Sequence, residues 1–144
     1  MKSIHILLVE DNVGDIMLTL DTFEEGKFAN KVSVVKDGKE AIDFLNQVGN
    51  YSKSGVPDLV LLDINLPKKN GHEVLQEIRN NENIKQTPVI MLTTSSSTSD
   101  IEKADKNLAN GYLIKPFEIK DFMKILSKIE NLWLNIVKLT KKKN

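Results

Sequence analysis

The sequence predicts an α/β protein, a doubly wound five-stranded parallel sheet with helices on both faces. Five short apolar runs alternate strictly with stretches whose apolar residues recur at helical spacing. Two of the runs, Leu59-Val60-Leu61-Leu62 and Pro88-Val89-Ile90-Met91-Leu92, have no polar alternation, as strands buried on both faces require. Strict strand–helix alternation then implies parallel pairing through right-handed crossovers.

Ile4–Val9 is rich in Ile, Leu and Val and is the first strand. Over Gly14–Glu25, Ile16, Met17, Leu20 and Phe23 follow i, i+3/i+4 spacing and predict a helix. Lys31–Lys36 is the second strand, closed by the Asp37-Gly38 turn signal. Lys39–Val48 sets Ala41, Ile42 and Leu45 on one helical face. The loop Gly49–Pro57 is long against the roughly 2–6 residues usual for such a connection. After the third strand, Leu59–Leu62, a helix over Gly71–Arg79 carries Val74, Leu75 and Ile78. Pro88–Leu92 is the fourth strand, and Thr93–Ser99 offers N-cap side chains for a helix near Asp100. Ile101, Ala104 and Leu108 give that helix a weak apolar face before Asn110-Gly111 ends it. Tyr112-Leu113-Ile114 is the fifth strand, and a last helix runs from Glu118 to about Leu139. The 144 residues are read as one domain, with a core over about 4–131 and an extended helix and Lys-rich tail over about 132–144.

Composition narrows the function. The absence of Cys excludes a disulfide scaffold, a thiolate metal site and a cysteine nucleophile. Twenty basic and twenty acidic side chains cancel, leaving no global attraction to nucleic acid or an anionic membrane. Arg79 is the only Arg, so base recognition by a bidentate guanidinium is nearly unavailable. No apolar run approaches the ~20 residues of a membrane span, and Met1–His5 shows no signal-peptide pattern. These features predict a soluble, cytoplasmic protein without a nucleic-acid or membrane partner.

In doubly wound sheets, ligands sit beyond the carboxyl ends of the strands, where strand order reverses. Glu10-Asp11 stands at that end of the first strand, Asp63 of the third, Thr93-Thr94 of the fourth and Lys115 of the fifth. Taken singly, each has an ordinary explanation as a helix cap, a loop residue or a solvated lysine. Together, in this order, they predict a site. Carboxylates gathered in one crevice raise one another's pKa unless a cation intervenes. Mg²⁺ suits them, taking oxygen ligands and keeping waters that phosphate oxygens can replace; Mn²⁺ can substitute for it. His5 and His72 are assigned structural or surface roles, and Lys68 and Lys69 a solvated loop pair.

The strings LLVEDN (7–12), LVLLDINLPKKNGHEVL (59–75), TPVIMLTT (87–94) and YLIKPF (112–117) occur in that order. From about Ile4 to Asn131 the chain resembles the receiver domain of two-component response regulators. The stretch IENLWLNIVKL (129–139), with the long Gly49–Pro57 loop, further resembles stand-alone receivers that serve cyanobacterial-type phytochrome kinases. The resemblance implies a flavodoxin-like (βα)5 fold. It makes Asp63 the phosphoacceptor and Asp11 a direct Mg²⁺ ligand, with Glu10 binding directly or through water. Asn65 would supply a backbone carbonyl to the metal. Thr93 and Lys115 would bind phosphoryl oxygens, Tyr112 would be the aromatic switch, and Pro116 would follow a cis peptide.

The function so implied is a phosphorelay response regulator that forms an aspartyl-phosphate on Asp63. Its donor would be a phosphohistidine on a sensor histidine kinase, including the phytochrome type, or on a phosphotransfer protein. The chain would take part in its own phosphorylation and slow dephosphorylation without being an enzyme in the turnover sense. A small Mg²⁺-dependent phosphohydrolase of haloacid dehalogenase type is the alternative. That chemistry wants a second acid two residues after the nucleophile, where Asn65 stands. A flavodoxin-type electron carrier fits less well, since Glu10-Asp11 would repel a flavin phosphate. A continuous last helix would measure ~33 Å and overhang the sheet. Its surplus apolar residues, centred on Trp133, predict a homodimer or a kinase-docking surface.

Overall fold

In the computed structural model, residues 4–26 and 30–129 are described. In chain order the elements are β1 (Ile4–Val9), α1 (Val13–Glu25), β2 (Asn30–Val35), α2 (Gly38–Asn46), β3 (Leu59–Asp63), α3 (Gly71–Asn80), β4 (Val89–Thr93), α4 (Thr98–Lys106), β5 (Gly111–Ile114) and α5 (Ile119–Leu126). Polar N-caps start four of the helices: Asn12, Asp37, Asn70 and Ser97 each accept a backbone N–H from the first turn. Such a cap satisfies a donor that the helix itself leaves unpaired. The strands pair in parallel in the order β2-β1-β3-β4-β5. Strand order therefore reverses between β1 and β3.

The period of two along each strand separates two cores. Leu7, Val9, Val60, Leu62, Val89 and Met91 meet Phe44 and Leu45 of α2 and Val74, Leu75 and Ile78 of α3. Ile6, Leu8, Leu59, Leu61, Ile90 and Leu92 turn the other way, onto Phe23 of α1 and Phe122 and Leu126 of α5. A slip of one residue would exchange the two sets, so packing on both faces locks the register. The predicted doubly wound sheet is the one observed.

Four details differ from the sequence reading. Part of the long loop winds into a 3-10 turn, Gly49–Tyr51. Met17 does not share the core face of α1: it is 58% exposed, while Thr19 is buried, because Thr19 lies nearer the line through Ile16 and Phe23 on a 3.6-residue helix. On the α4 side Ala104 alone of its expected apolar face is buried; Ile101 and Leu108 are exposed. The last helix does not run unbroken to Leu139. It stops at Leu126, where the Ser127 hydroxyl donates to Lys124 O at 2.6 Å and Lys128 and Ile129 N–H groups bond three residues back. A Ser side chain that bonds nearby backbone competes with helix continuation. Trp133 and the rest of the expected extension over 132–144 lie outside the described residues.

Arg79 ties together the loops at the amino ends of β4 and β5. Its Nε and Nη2 donate to Leu108 O at 3.1 and 2.9 Å, and Nη1 donates to Lys85 O and Thr87 O at 3.0 and 2.7 Å. Nη2 also donates to Asn110 Oδ1 at 2.9 Å, which accepts Val89 N–H as well. Leu108 has φ 65, in the left-handed region, and the clamp on its carbonyl holds it there. Hydrogen bonds from a charged donor are worth about 1.5–3 kcal/mol each at most, and exposed ones less. Arg79→Ala is expected to cost about 2–3 kcal/mol in urea denaturation. A loss under about 0.5 kcal/mol would show the clamp to be incidental.

Candidate functional site

The register that builds the core also assembles the site. Val9 pairs with Leu62, so Glu10 falls beside Asp63; Asp63 pairs with Leu92, so Thr93 follows one step beyond. Thr93 pairs with Ile114, and Lys115 N–H donates to Thr93 O at 2.7 Å. Four strand ends thus converge where strand order reverses. The Lys115–Pro116 peptide is cis.

Glu10, Asp11 and Asp63 each present an oxygen, all within 4.8 Å of one another. Glu10 and Asp63 are buried and Asp11 is exposed. Octahedral Mg²⁺ with ligands at ~2.0–2.1 Å sets ligand oxygens roughly 2.9–4.2 Å apart. A hard, oxygen-only donor set at this spacing fits such an ion with slight contraction. Asp63 is tightly placed. Its Oδ1 accepts Asn65 N–H at 3.2 Å, and Gly71 N–H donates to Ile64 O at 2.7 Å. A Cβ at Gly71 would lie 2.3 Å from Asp63 O, so only glycine lets α3 start this close to the acid.

The Lys115 ammonium bonds Glu10 Oε1, lies 2.9 Å from Asp15 Oδ2 and 3.4 Å from Asp63 Oδ2. Burial pushes the Glu10 carboxyl up to about 7, with Asp63 adding to the rise and Lys115 opposing it. Burial alone would lower Lys115, but Glu10, Asp15 and Asp63 together outweigh it and hold the ammonium's pKa above its usual value. Beside Lys115 opens a cavity of about 180 Å³ whose lining includes Asp15, Thr19, Thr94 and Phe117.

Thr93 is buried, and its Oγ1 accepts Ser95 N–H at 3.2 Å. Ser95 is a hub. Its carbonyl accepts the Tyr112 hydroxyl at 3.0 Å, and its own hydroxyl donates to Asp100 Oδ2 at 2.6 Å. Asp100 Oδ1 meets His72 Nε2 at 3.0 Å. Hydrogen bonds from Ser95 and His72 hold the Asp100 carboxyl below its usual range.

The structure thus brings Glu10, Asp11, Asp63 and Lys115 together, with Asn65 and Thr93 alongside. Tyr112 stands apart from the acids, linked to Thr93 through Ser95. Lys69 pairs with Glu77 on α3 at 3.1 Å, and Lys68, at φ 68, makes a tight turn in which Lys69 N–H reaches Pro67 O at 2.8 Å. His5 bonds Ser33 Oγ at 2.8 Å, well back along β1 from the crevice. Sequence reasoning missed Asp15, and it assigned Ser95 only spare polarity at a helix start. Asp15 had one signal, its place in the first turn of a helix that begins at the carboxyl end of β1.

The family model of the response regulator receiver domain matches residues 6–127. The chain belongs to this family. It is 42% identical over 129 residues to the probable methanogenesis regulatory protein FilR2 of Methanothrix harundinacea, covering 90% of this chain and 83% of that protein. It is 41% identical over 134 residues to response regulator Rcp1 of Synechocystis sp., covering 93% and 91%. The crystal structure of the Mn(2+)-bound form of Rcp1 superposes with a TM-score of 0.72, covering 91% of this chain and 94% of that one. The phosphorylated cyanobacterial phytochrome response regulator RcpA is 39% identical, with a TM-score of 0.75 over 92% of this chain and 95% of that one. The likeness to stand-alone phytochrome receivers read from the sequence is therefore present, and the phosphohydrolase alternative finds no support.

A carboxyl whose pKa is higher in the folded than in the unfolded chain takes up protons on folding, so its contribution to stability falls as pH rises between the two values. For Glu10 that window runs from its ordinary 4.5 to about 7. His5, whose pKa burial lowers, acts in the opposite sense, so Glu10 is isolated by comparing wild type with Glu10→Gln. In chelator, the variant should gain stability relative to wild type as pH rises from 5 to 8, by an amount on the order of 1–3 kcal/mol in urea. Saturating Mg²⁺ should shrink the gain. A difference independent of pH would show that burial does not perturb Glu10.

Proposed function

We propose that Asp63 accepts a phosphoryl group from a phosphohistidine on a sensor histidine kinase, including the phytochrome type, or on a phosphotransfer protein. The observation that carries this reading is the setting of Asp63: buried, faced by the Lys115 ammonium at 3.4 Å and grouped with the carboxylates of Glu10 and Asp11. Asp63 Oδ2 faces Lys115, so a phosphoryl group on that oxygen falls within the ammonium's reach. The Oδ2–P bond forms as the donor's N–P bond breaks, and the histidine leaves with a proton from solvent. A loose phosphoryl-transfer transition state leaves the protein to align the partners and stabilise oxygen charge. Lys115 supplies charge and Thr93 a hydroxyl donor.

Glu10, Asp11, Asp63 and the Asn65 carbonyl would hold Mg²⁺ or Mn²⁺. When bound, that ion neutralises charge on the phosphoryl oxygens. The Mn(2+)-bound form of the relative Rcp1 supports a divalent ion here. Access for the donor is supported by the cavity beside Lys115, which Leu18 of α1 lines, and by the exposure of Val13, Met17 and Leu18 on that helix, each about 60%.

The added charge and acceptor oxygens of the phosphoryl group draw the Thr93 hydroxyl inward, away from Ser95 N–H. Ser95 also holds Tyr112 and Asp100, so its displacement frees Tyr112 to turn and reshapes the face of α4, β5 and α5. This surface is the proposed output to another protein. The homodimer through Trp133, the single-domain reading of 1–144 and the cytoplasmic location are parts of the same proposal that rest on sequence. Among the described residues no helix is long and apolar enough to cross a membrane.

Incubation with acetyl phosphate and Mg²⁺, read by intact mass, tests the assignment. Wild type should gain one phosphoryl group and Asp63→Asn none. A gain that persists in the variant would place the acceptor elsewhere.

A further inference from the structure

We propose that Asp15 is a positioning residue that holds the Lys115 ammonium back from a phosphoryl group on Asp63, and so weakens the site's grip on that group. The inference rests on the receiver reading of the site and deepens it. An ammonium has three donors. Two of those of Lys115 are directed to Glu10 and to Asp15 Oδ2 at 2.9 Å, while Asp63 Oδ2 stands 3.4 Å away in an ion pair. To close on phosphoryl oxygens carried by Asp63 the ammonium has to move toward that acid, away from Glu10 or Asp15.

Glu10 is a poor candidate to let go, being a buried strand-end acid of the cluster that suits a cation. Asp15 differs in both respects. It stands outside that cluster, and its side chain is 34% exposed against 1% for Glu10 and 6% for Asp63. A partly exposed carboxylate regains water when it releases its partner, which keeps the net value of such a pair small. Its place is also fixed, since Asp15 N–H donates to Asn12 Oδ1 at 2.9 Å in the capped first turn of α1. A carboxylate held at this point also repels an incoming anion. Competition for Lys115 and charge repulsion act in one direction: neutralising Asp15 tightens phosphoryl binding.

The ordinary alternative is that Asp15 only complements the positive end of the α1 dipole. In that case its loss lowers stability and leaves affinity for a phosphoryl group unchanged. Beryllium trifluoride, a tetrahedral stand-in for the phosphoryl group, separates the two when its binding with Mg²⁺ is followed by fluorine NMR. Asp15→Asn and Asp15→Ala, each verified as folded by its melting transition, should bind about fivefold more tightly than wild type, as loss of a partly exposed ion pair implies. Asp15→Glu, which restores the charge, should return affinity to about the wild-type value. Equal or weaker binding by the Asn and Ala variants would overturn the proposal, as would a Glu variant that binds as tightly as they do. Wild type that takes no beryllium trifluoride would overturn the receiver reading itself, and this inference with it.

Discussion

The Lys115 ammonium among its carboxylates is the interaction on which the site turns. Glu10, Asp15 and Asp63 converge on it from two strands and a helix, and Asp11 adds a further negative charge nearby. One positive charge does not balance four acids. The crowding adds to the burial that raises the Glu10 carboxyl to about 7, and it leaves a standing demand for another cation. Acids placed this way are costly to fold around.

The sheet provides the precision. Because β1, β3, β4 and β5 are locked in register by cores on both faces, their terminal residues arrive as a set. Gly71 extends the same precision to the loop after β3, since a side chain there would displace the backbone of Asp63. At the far end of the sheet Arg79 binds the entry loops through carbonyls. The Thr93–Ser95–Tyr112 linkage at the site end rests on a few single hydrogen bonds that a new acceptor can rearrange.

Much of this was legible in the residues themselves. Leu59–Leu62 admits little but a buried strand, so Asp63 had to stand at its carboxyl end, and the same logic places Glu10, Thr93 and Lys115. The contacts that remained hidden are those between elements whose relative tilt no local pattern encodes. Asp15 meets Lys115 across 100 residues of sequence, and Ser95 becomes a hub only because Tyr112 and Asp100, the latter also bonded to His72, arrive from other elements. Leu108 is exposed while its carbonyl is held by Arg79, a contact between distant elements that its place in an apolar pattern does not reveal. At the end of α5, Leu126 is followed by a Ser127 hydroxyl that bonds Lys124 O, a local competition that the apolar stripe in the sequence hides.

A titration of Mn²⁺ followed by the electron paramagnetic resonance of the free ion addresses the charge imbalance directly. One Mn²⁺ should disappear from solution per chain, return when Mg²⁺ is added in excess, and fail to bind to Asp11→Ala. Binding that survives in that variant, or a free-ion signal that the protein leaves untouched, would mean that the acids are gathered for some purpose other than holding a cation beside Asp63.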